Sequence, residues 1–152
     1  MAHNTYKSIF KPNNPSKYVG DSSNIVCRSS WERFFCSNLD NNPNVEKWGS
    51  EEFAIEYVSP KDGKVHRYFV DFIVRFKNGS VIMVEIKPKA QAIPPSPPKK
   101  KSNKALARFQ EDMMVFMINQ AKWNAAIQFG KRNGFDFVVY TEDELRKLGM
   151  PV

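Results

Sequence analysis

The middle of the chain carries three runs, rich in apolar residues, that predict β-strands. They are EEFAIEYV (residues 51–58), KVHRYFVDFIVRF (64–76) and VIMVEIK (81–87). SPKDG separates the first two runs and KNGS the last two, and both have the composition of turns. Because short turns between successive strands favour antiparallel pairing, the three runs predict an antiparallel meander.

Helical spacing of apolar residues appears on both sides of this block. SSWERFFCSNLD (29–40) predicts a first helix. The segment from Asn103 to Lys131 predicts a long helix that ends at glycine, and its methionine-rich stripe predicts core packing. FDFVVY (135–140) predicts a buried strand, and TEDELRKLG (141–149) predicts a terminal helix with a capping box. This order predicts an α/β (α+β) fold in which helices flank a mixed β-sheet.

The chain length of 152 residues suits a single domain, 1–152. Residues 1–24 are polar, basic and punctuated by proline, which predicts an extended arm. Residues 88–104, PKAQAIPPSPPKKKSNK, hold half of the ten prolines and predict an exposed Pro/Lys-rich loop.

The charge of the chain narrows the class of partner. A net charge of +7 and a pI near 9.4 favour a polyanion as the binding partner, and that polyanion is most often nucleic acid. No apolar run approaches the ~20 residues that span a bilayer, so we expect no membrane partner. Cys27 and Cys36 lack CxxC spacing and a histidine partner, which predicts reduced packing residues in a cytosolic protein rather than a zinc site.

The turn KNGS determines which side chains of the last two runs share a face of the sheet. A two-residue Asn-Gly turn would mix charged and apolar residues on both faces. A three-residue loop, residues 77–79, gives one wholly apolar face instead. That face holds Phe72, Val74, Phe76, Ile82, Val84 and Ile86. We therefore predict the three-residue loop, which sets Asp71 opposite Glu85 and places Lys87 at the same end of the other face.

This register predicts a metal site. Opposed Asp71 and Glu85 would have β-carbons about 5 Å apart, and two carboxylates that close repel each other unless a cation lies between them. Mg²⁺ suits the position, since it takes hard oxygen ligands and keeps waters for a substrate phosphate. Lys87 could orient or deprotonate a water, or neutralise charge on a phosphate. The pattern predicts metal-assisted phosphodiester hydrolysis, and the alternative is an exposed Glu–Lys pair at a sheet end.

Glu32 has two interpretations. The sequence SSWE fits a capping box with Ser29 as the N-cap, which would give Glu32 a purely structural role. Glu32 could also be a metal ligand or a supporting base supplied by the first helix.

Several basic residues are candidates for contacts with DNA. They are His66, Arg67, Lys99, Lys100, Lys101 and Lys104. The loop lysines would bind the DNA backbone without reading sequence, or would form a solvated linker. His66 and Arg67 precede Asp71 on its strand, where a structural pairing suits them equally well.

Five blocks, in order, resemble a known family. The blocks SSWE, WGSEE, SPKDGKVHRYFVDF, EIKPK and NQAKWNAA resemble the head completion nucleases of tailed bacteriophages of the T-even kind. Those nucleases are distantly similar to the endonuclease subunit of Tn7-type transposases. Asp71, Glu85 and Lys87 fit the PD-(D/E)xK pattern of the wider superfamily. Val70 stands where that pattern has proline, a change that affects backbone shape and leaves the ligands in place.

The resemblance implies a restriction-endonuclease-like fold and a Mg²⁺-dependent DNA nuclease, with Mn²⁺ as a substitute metal and no small-molecule cofactor. It implies that Asp71 and Glu85, with the carbonyl of Ile86, bind the metal. Lys87 matches the catalytic lysine of the family, and Glu32 matches the acid of the first helix.

The resemblance also implies a role in virion assembly, in which the nuclease completes the head at the portal after packaging so that a tail can join. Its partners would be DNA and portal or neck proteins, in the host cytoplasm during assembly and in the head–neck region of the virion. Gln120 and Lys122 lie in the block NQAKWNAA, where one of them could face the site while Trp123 packs. Two alternatives are a non-catalytic neck or adaptor protein that binds portal and DNA, and a transposon, restriction or repair endonuclease of the same fold.

Overall fold

The computed structural model describes residues 5–151. Within these residues, eight strands and three helices follow one another along the chain, with short 3₁₀ turns at Pro15–Lys17 and Lys89–Gln91. The strands are β1 Thr5–Phe10, β2 Ile25–Ser29, β3 Val45–Ser50, β4 Ala54–Val58, β5 Val65–Phe69, β6 Phe72–Phe76, β7 Val81–Ile86 and β8 Phe135–Tyr140. The helices are α1 Ser30–Asn41, α2 Asn103–Asn133 and α3 Glu142–Lys147. Among the described residues, no helix has the length and apolarity needed to cross a membrane.

The central sheet is mixed, as predicted. Its four strands have the order β3-β6-β7-β8, in which β3 and β7 pair antiparallel with β6 and β8 pairs parallel with β7. A parallel pair needs a long crossover connection, and α2 supplies it between β7 and β8.

Helices and smaller sheets cover both faces of this sheet. On one face Phe72, Val74 and Val84 pack against Phe35 and Leu39 of α1. On the other face Val70 and Met83 pack against Trp123 and Ala126 of α2 and Ile55 of β4. The sheet is therefore buried on both sides, so a charged side chain within it needs a specific partner.

The register predicted for the β6–β7 hairpin is confirmed. Phe72 pairs with Val84 and Val74 with Ile82. The Phe76 N–H donates to the Ser80 carbonyl at 2.8 Å, and Gly79 has a φ of 90°, the left-handed conformation that the bulge requires. The predicted apolar face lies in a single core cluster.

The predicted antiparallel pairings between successive runs are confirmed, but the prediction that they form one meander is wrong. The run KVHRYFVDFIVRF divides at Val70 and Asp71 into β5 and β6, and β5 forms a separate two-stranded sheet with β4. On the side of β6 away from β7, the neighbouring strand is β3, whose Trp48 is fully buried. The sequence VEKWGS of β3 alternates poorly because Glu46 and Lys47 are exposed beside buried neighbours, so the pattern did not predict this strand.

The described part of the predicted arm, residues 5–24, packs along the body of the protein. β1 pairs antiparallel with β2, and Phe10 and Tyr18 are buried. The carboxylate of the fully buried Asp40 accepts the backbone N–H groups of Asn13 and Asn14 at 2.7 and 3.1 Å. Cys27 and Cys36 are buried and unpaired by a disulfide, as predicted.

The long helix is confirmed, but its methionine stripe is not core. The buried residues of α2 are Trp123, Ala126 and Gly130, all in its C-terminal half, whereas Val115 and Met117 are 57% and 45% exposed. Only the C-terminal half packs on the sheet and β4, so the N-terminal half is free to line a groove with the exposed loop 88–104.

Candidate active site

Asp71 and Glu85 lie opposite each other at one end of the β6–β7 pair. Asp71 immediately precedes β6, and the pair falls one residue beyond the Phe72–Val84 pair. Glu85 is 7% exposed and Asp71 is half-buried. The hairpin register that aligns the apolar face thus also brings these two acids together, as predicted.

Donors from the protein hold each carboxylate. Asp71 Oδ2 accepts the backbone N–H of Ile86 at 2.7 Å. Glu85 Oε1 accepts the Tyr68 hydroxyl at 2.6 Å, and Lys87 Nζ lies 3.5 Å from Glu85 Oε2. The two acids and the lysine therefore form one connected constellation.

The electrostatics of this constellation favour a cation. Burial and the negative charge of Glu85 raise the pKa of Asp71 well above its ordinary value, against the opposing effect of the Ile86 N–H. Two neighbouring hard-oxygen ligands with excess negative charge fit a divalent metal such as Mg²⁺. Within residues 5–151 no three acidic, histidine or cysteine side chains converge as a ligand set, so water, backbone or substrate oxygens would have to complete the shell.

The capping box predicted at Glu32 forms in part. Ser29 is the N-cap of α1 and its Oγ accepts the Glu32 N–H at 3.1 Å, while Glu32 Oε1 accepts the N–H of Arg28 at 3.0 Å. The Glu32 charge is also close enough to raise the pKa of Asp71. Ser29 therefore caps α1, and the Glu32 carboxylate binds the backbone just before the cap instead of the Ser29 N–H. The role of Glu32 as a ligand stays a prediction, as does that of the Ile86 carbonyl.

Tyr68 is a site residue that sequence reasoning missed. It lies on β5, in a different sheet from Glu85, so no pairing pattern connects the two residues. Lys122 of α2 lies over the Tyr68 ring, with Nζ 5.6 Å from its centroid. Trp123 is buried in the core, as predicted, whereas Gln120 is only partly buried.

The two basic residues of β5 have structural partners. His66 Nε2 lies 2.8 Å from an Asp62 carboxylate oxygen, and the Arg67 guanidinium lies 4.9 Å above the Phe69 ring. Since side chains alternate along a strand, His66 shares the hairpin face of Tyr68 and Arg67 points to the other face. The structure therefore does not bring Arg67 into the site.

A groove leads from Lys87 between the loop and α2. It has a volume of about 500 Å³, and Ile93, Arg108 and Phe116 are among its lining residues. Lys99, Lys100, Lys101 and Lys104 are exposed on the loop and at the start of α2. Arg108, which the sequence did not single out, adds a further cation next to these lysines.

Comparison with known proteins places this geometry in a family. A model of the TnsA-like endonuclease N-terminal family matches residues 42–142, a span that contains Asp71, Glu85 and Lys87 but not Glu32. The chain is also 40% identical over 144 residues to the head completion nuclease of Enterobacteria phage T4, an alignment that covers 95% of this chain and 96% of that protein. These matches confirm the resemblance and the restriction-endonuclease-like fold, and the chain belongs to the TnsA-like endonuclease family.

Proposed function

We propose that this nuclease is a Mg²⁺-dependent deoxyribonuclease that hydrolyses phosphodiester bonds of DNA. The observation that carries the proposal is the opposed pair Asp71 and Glu85 with Lys87 beside it, inside the segment that matches the endonuclease family. A non-catalytic adaptor has no need of two acids held together at a buried sheet end, since their repulsion destabilises the fold.

Asp71 and Glu85 would hold the metal, with the Ile86 carbonyl and Glu32 as further ligand candidates. When bound, Mg²⁺ supplies a water of lowered pKa and polarises the scissile phosphate. The water oxygen would form a bond to phosphorus and lose a proton, while one phosphorus–oxygen bond to a deoxyribose breaks and the departing deoxyribose oxygen takes up a proton.

The ammonium of Lys87 would act on the attacking water or on the phosphate. Its partner Glu85 Oε2, at 3.5 Å, keeps it at the site while leaving other donors of the ammonium free. From there it orients the water and offsets negative charge that develops on the phosphate oxygens.

DNA would approach along the groove beside Lys87. The loop lysines and Arg108 supply positive charge that binds the phosphates of the DNA backbone. Such contacts do not read the DNA sequence. The DNA strand nearer the site would contact Gln120 and Lys122 of α2 and His66 of β5.

We assign the activity to virion assembly, in which the nuclease completes the phage head after packaging and prepares it for tail joining. The name of the T4 relative and its nearly full-length alignment support this assignment. The partners would be portal or neck proteins, in the host cytoplasm during assembly and at the head–neck region of the virion.

Plasmid nicking tests the catalytic proposal. Wild type should nick supercoiled DNA with Mg²⁺ and not with chelator, and Asp71→Ala and Lys87→Ala should abolish nicking. Asp136→Ala and Lys131→Ala are matched controls, because both residues are exposed near the opposite end of the sheet, where β8 begins beside Val81. Metal-dependent cleavage that survives both site substitutions would refute the site.

A further inference from the structure

We infer that Tyr68 is a positioning residue, which holds Glu85 Oε1 so that Glu85 presents only Oε2 to the metal and to Lys87. The inference rests on the proposed metal-dependent function. It assigns a role to a residue of the neighbouring sheet.

The contact itself is well defined. The Tyr68 hydroxyl donates to Glu85 Oε1 at 2.6 Å, and both residues are buried, at 5% and 7% exposure. Hydrogen bonds to a carboxylate in such surroundings are strong and directional. Because Tyr68 belongs to the β4–β5 hairpin, this bond ties that hairpin to the end of the central sheet.

Packing fixes the ring that carries the hydroxyl. Tyr68 pairs across the hairpin with Ile55 and shares a core cluster with Trp123. The Lys122 ammonium lies over the ring at 5.6 Å. Because these contacts fix the Tyr68 hydroxyl on three sides, its hydrogen bond restricts the rotation of the Glu85 carboxylate. A side chain that orients a metal ligand has to restrict it in this way.

The same arrangement occurs at the second acid. Asp71 Oδ2 is held by the Ile86 N–H at 2.7 Å, as Glu85 Oε1 is held by Tyr68. Each acid therefore has one oxygen fixed by a hydrogen bond from the protein, and the second oxygen of Glu85, Oε2, faces Lys87 Nζ at 3.5 Å. If each acid offers one oxygen to a bound Mg²⁺, the ion would keep room for waters and a substrate phosphate, as hydrolysis requires.

The test compares Tyr68→Phe with Tyr18→Phe in the full chain. Tyr18 is a matched control, since it is 6% exposed and its hydroxyl donates to a different carboxylate, Glu52 Oε2, at 2.7 Å. The readouts are Mn²⁺ binding by electron paramagnetic resonance without DNA, the Mg²⁺ concentration for half-maximal nicking, and the thermal midpoint.

Tyr68→Phe should weaken Mn²⁺ binding about tenfold or more and raise the half-maximal Mg²⁺ concentration by a similar factor. Tyr18→Phe should lower the thermal midpoint and leave both metal readouts unchanged. Equal Mn²⁺ affinity of Tyr68→Phe and wild type would overturn the inference and leave the proposed function standing. If wild type neither binds Mn²⁺ nor nicks DNA, the proposed function itself fails.

Two tyrosine analogues at position 68 separate the donor from the shape of the ring if Tyr68→Phe folds poorly. 4-Aminophenylalanine retains an N–H donor and should keep near wild-type metal affinity. 4-Methylphenylalanine fills the same space without a donor and should lose affinity like Phe. Equal affinities of the two variants would overturn the role of the hydrogen bond.

Discussion

Asp71 and Glu85 face each other across the β6–β7 pair, and the residue after Glu85 donates its backbone N–H to Asp71 Oδ2 at 2.7 Å. One hydrogen bond thus links the backbone of β7 to the side chain of a candidate metal ligand. Because burial and Glu85 raise the pKa of Asp71, its charged form is disfavoured in the metal-free fold.

Asp71→Asn should therefore separate stability from activity. A raised folded-state pKa means that the ionised acid costs stability as pH rises through that pKa, so at neutral pH the neutral amide should raise the thermal midpoint in chelator by a few degrees. Nicking should fall at least about 100-fold. Mg²⁺ should raise the midpoint of wild type and not of the variant. A variant that is less stable than wild type in chelator would contradict the argument.

Lys87→Met should impair cleavage while sparing the metal. Removal of a group that orients water or offsets phosphate charge typically costs about 100-fold or more in rate. Mn²⁺ binding should persist or tighten, since a cation 3.5 Å from Glu85 is removed. Lys89→Met is the control, because Lys89 is exposed and pairs with Asp143 instead. Loss of both metal binding and cleavage in Lys87→Met would point to a structural role.

Replacing Lys99, Lys100 and Lys101 together with alanine should weaken DNA binding and flatten its salt dependence. The slope of log affinity against log salt should shrink by about 0.9 for each DNA phosphate that the variant no longer neutralises. A triple alanine variant at the exposed Lys61, Lys64 and Lys131 removes the same charge elsewhere. Fluorescence anisotropy over a salt series measures both, and equal slopes would exclude the loop from the interface.

The register and the acid pair were predictable because they depend on local rules. A glycine at the bulge position and a strictly alternating apolar face leave a single consistent pairing of β6 with β7. Asp71 and Glu85 follow from that pairing without further information. The helices were predictable for the same reason, since capping and periodicity lie within the segments themselves.

The rest depends on contacts between distant segments. The run that contains Tyr68 and Asp71 has no glycine or proline at its break, so nothing within the run predicts that β5 joins one sheet while β6 pairs with β3 in another. The position of Tyr68 against Glu85 is a consequence of that division. The N-terminal half of α2, where Met117 is exposed, shows the converse, since helical spacing does not say which part of a long helix packs.

Gly130→Ala should destabilise the fold without altering the site. α2 passes so close to β8 that a β-carbon at Gly130 would lie 2.2 Å from the Phe135 carbonyl oxygen. Such overpacking costs about 1–3 kcal/mol, which urea unfolding can measure. Asn124→Ala, exposed on the same helix, should stay within about 0.5 kcal/mol of wild type. If Gly130→Ala were as stable as wild type, the close approach of α2 to β8 would be wrong.

The capping box of α3 should make part of the stability depend on acid pH. The Thr141 N–H and hydroxyl donate to Glu144 Oε1 at 2.7 and 2.8 Å and lower the pKa of Glu144 below its ordinary 4.5. A lowered folded-state pKa gives a stabilisation that is full above 4.5 and is lost as pH falls through the lower value. Thr141→Ala should cost about 1 kcal/mol at neutral pH, and Thr141→Ser, which retains a hydroxyl, should cost much less. Urea unfolding at pH 7 and pH 3 measures the free energy of unfolding of both variants. The difference between them should be smaller at pH 3. If the difference in unfolding free energy between the two variants does not change with pH, the stabilisation by the Thr141 hydroxyl does not depend on the charge of Glu144.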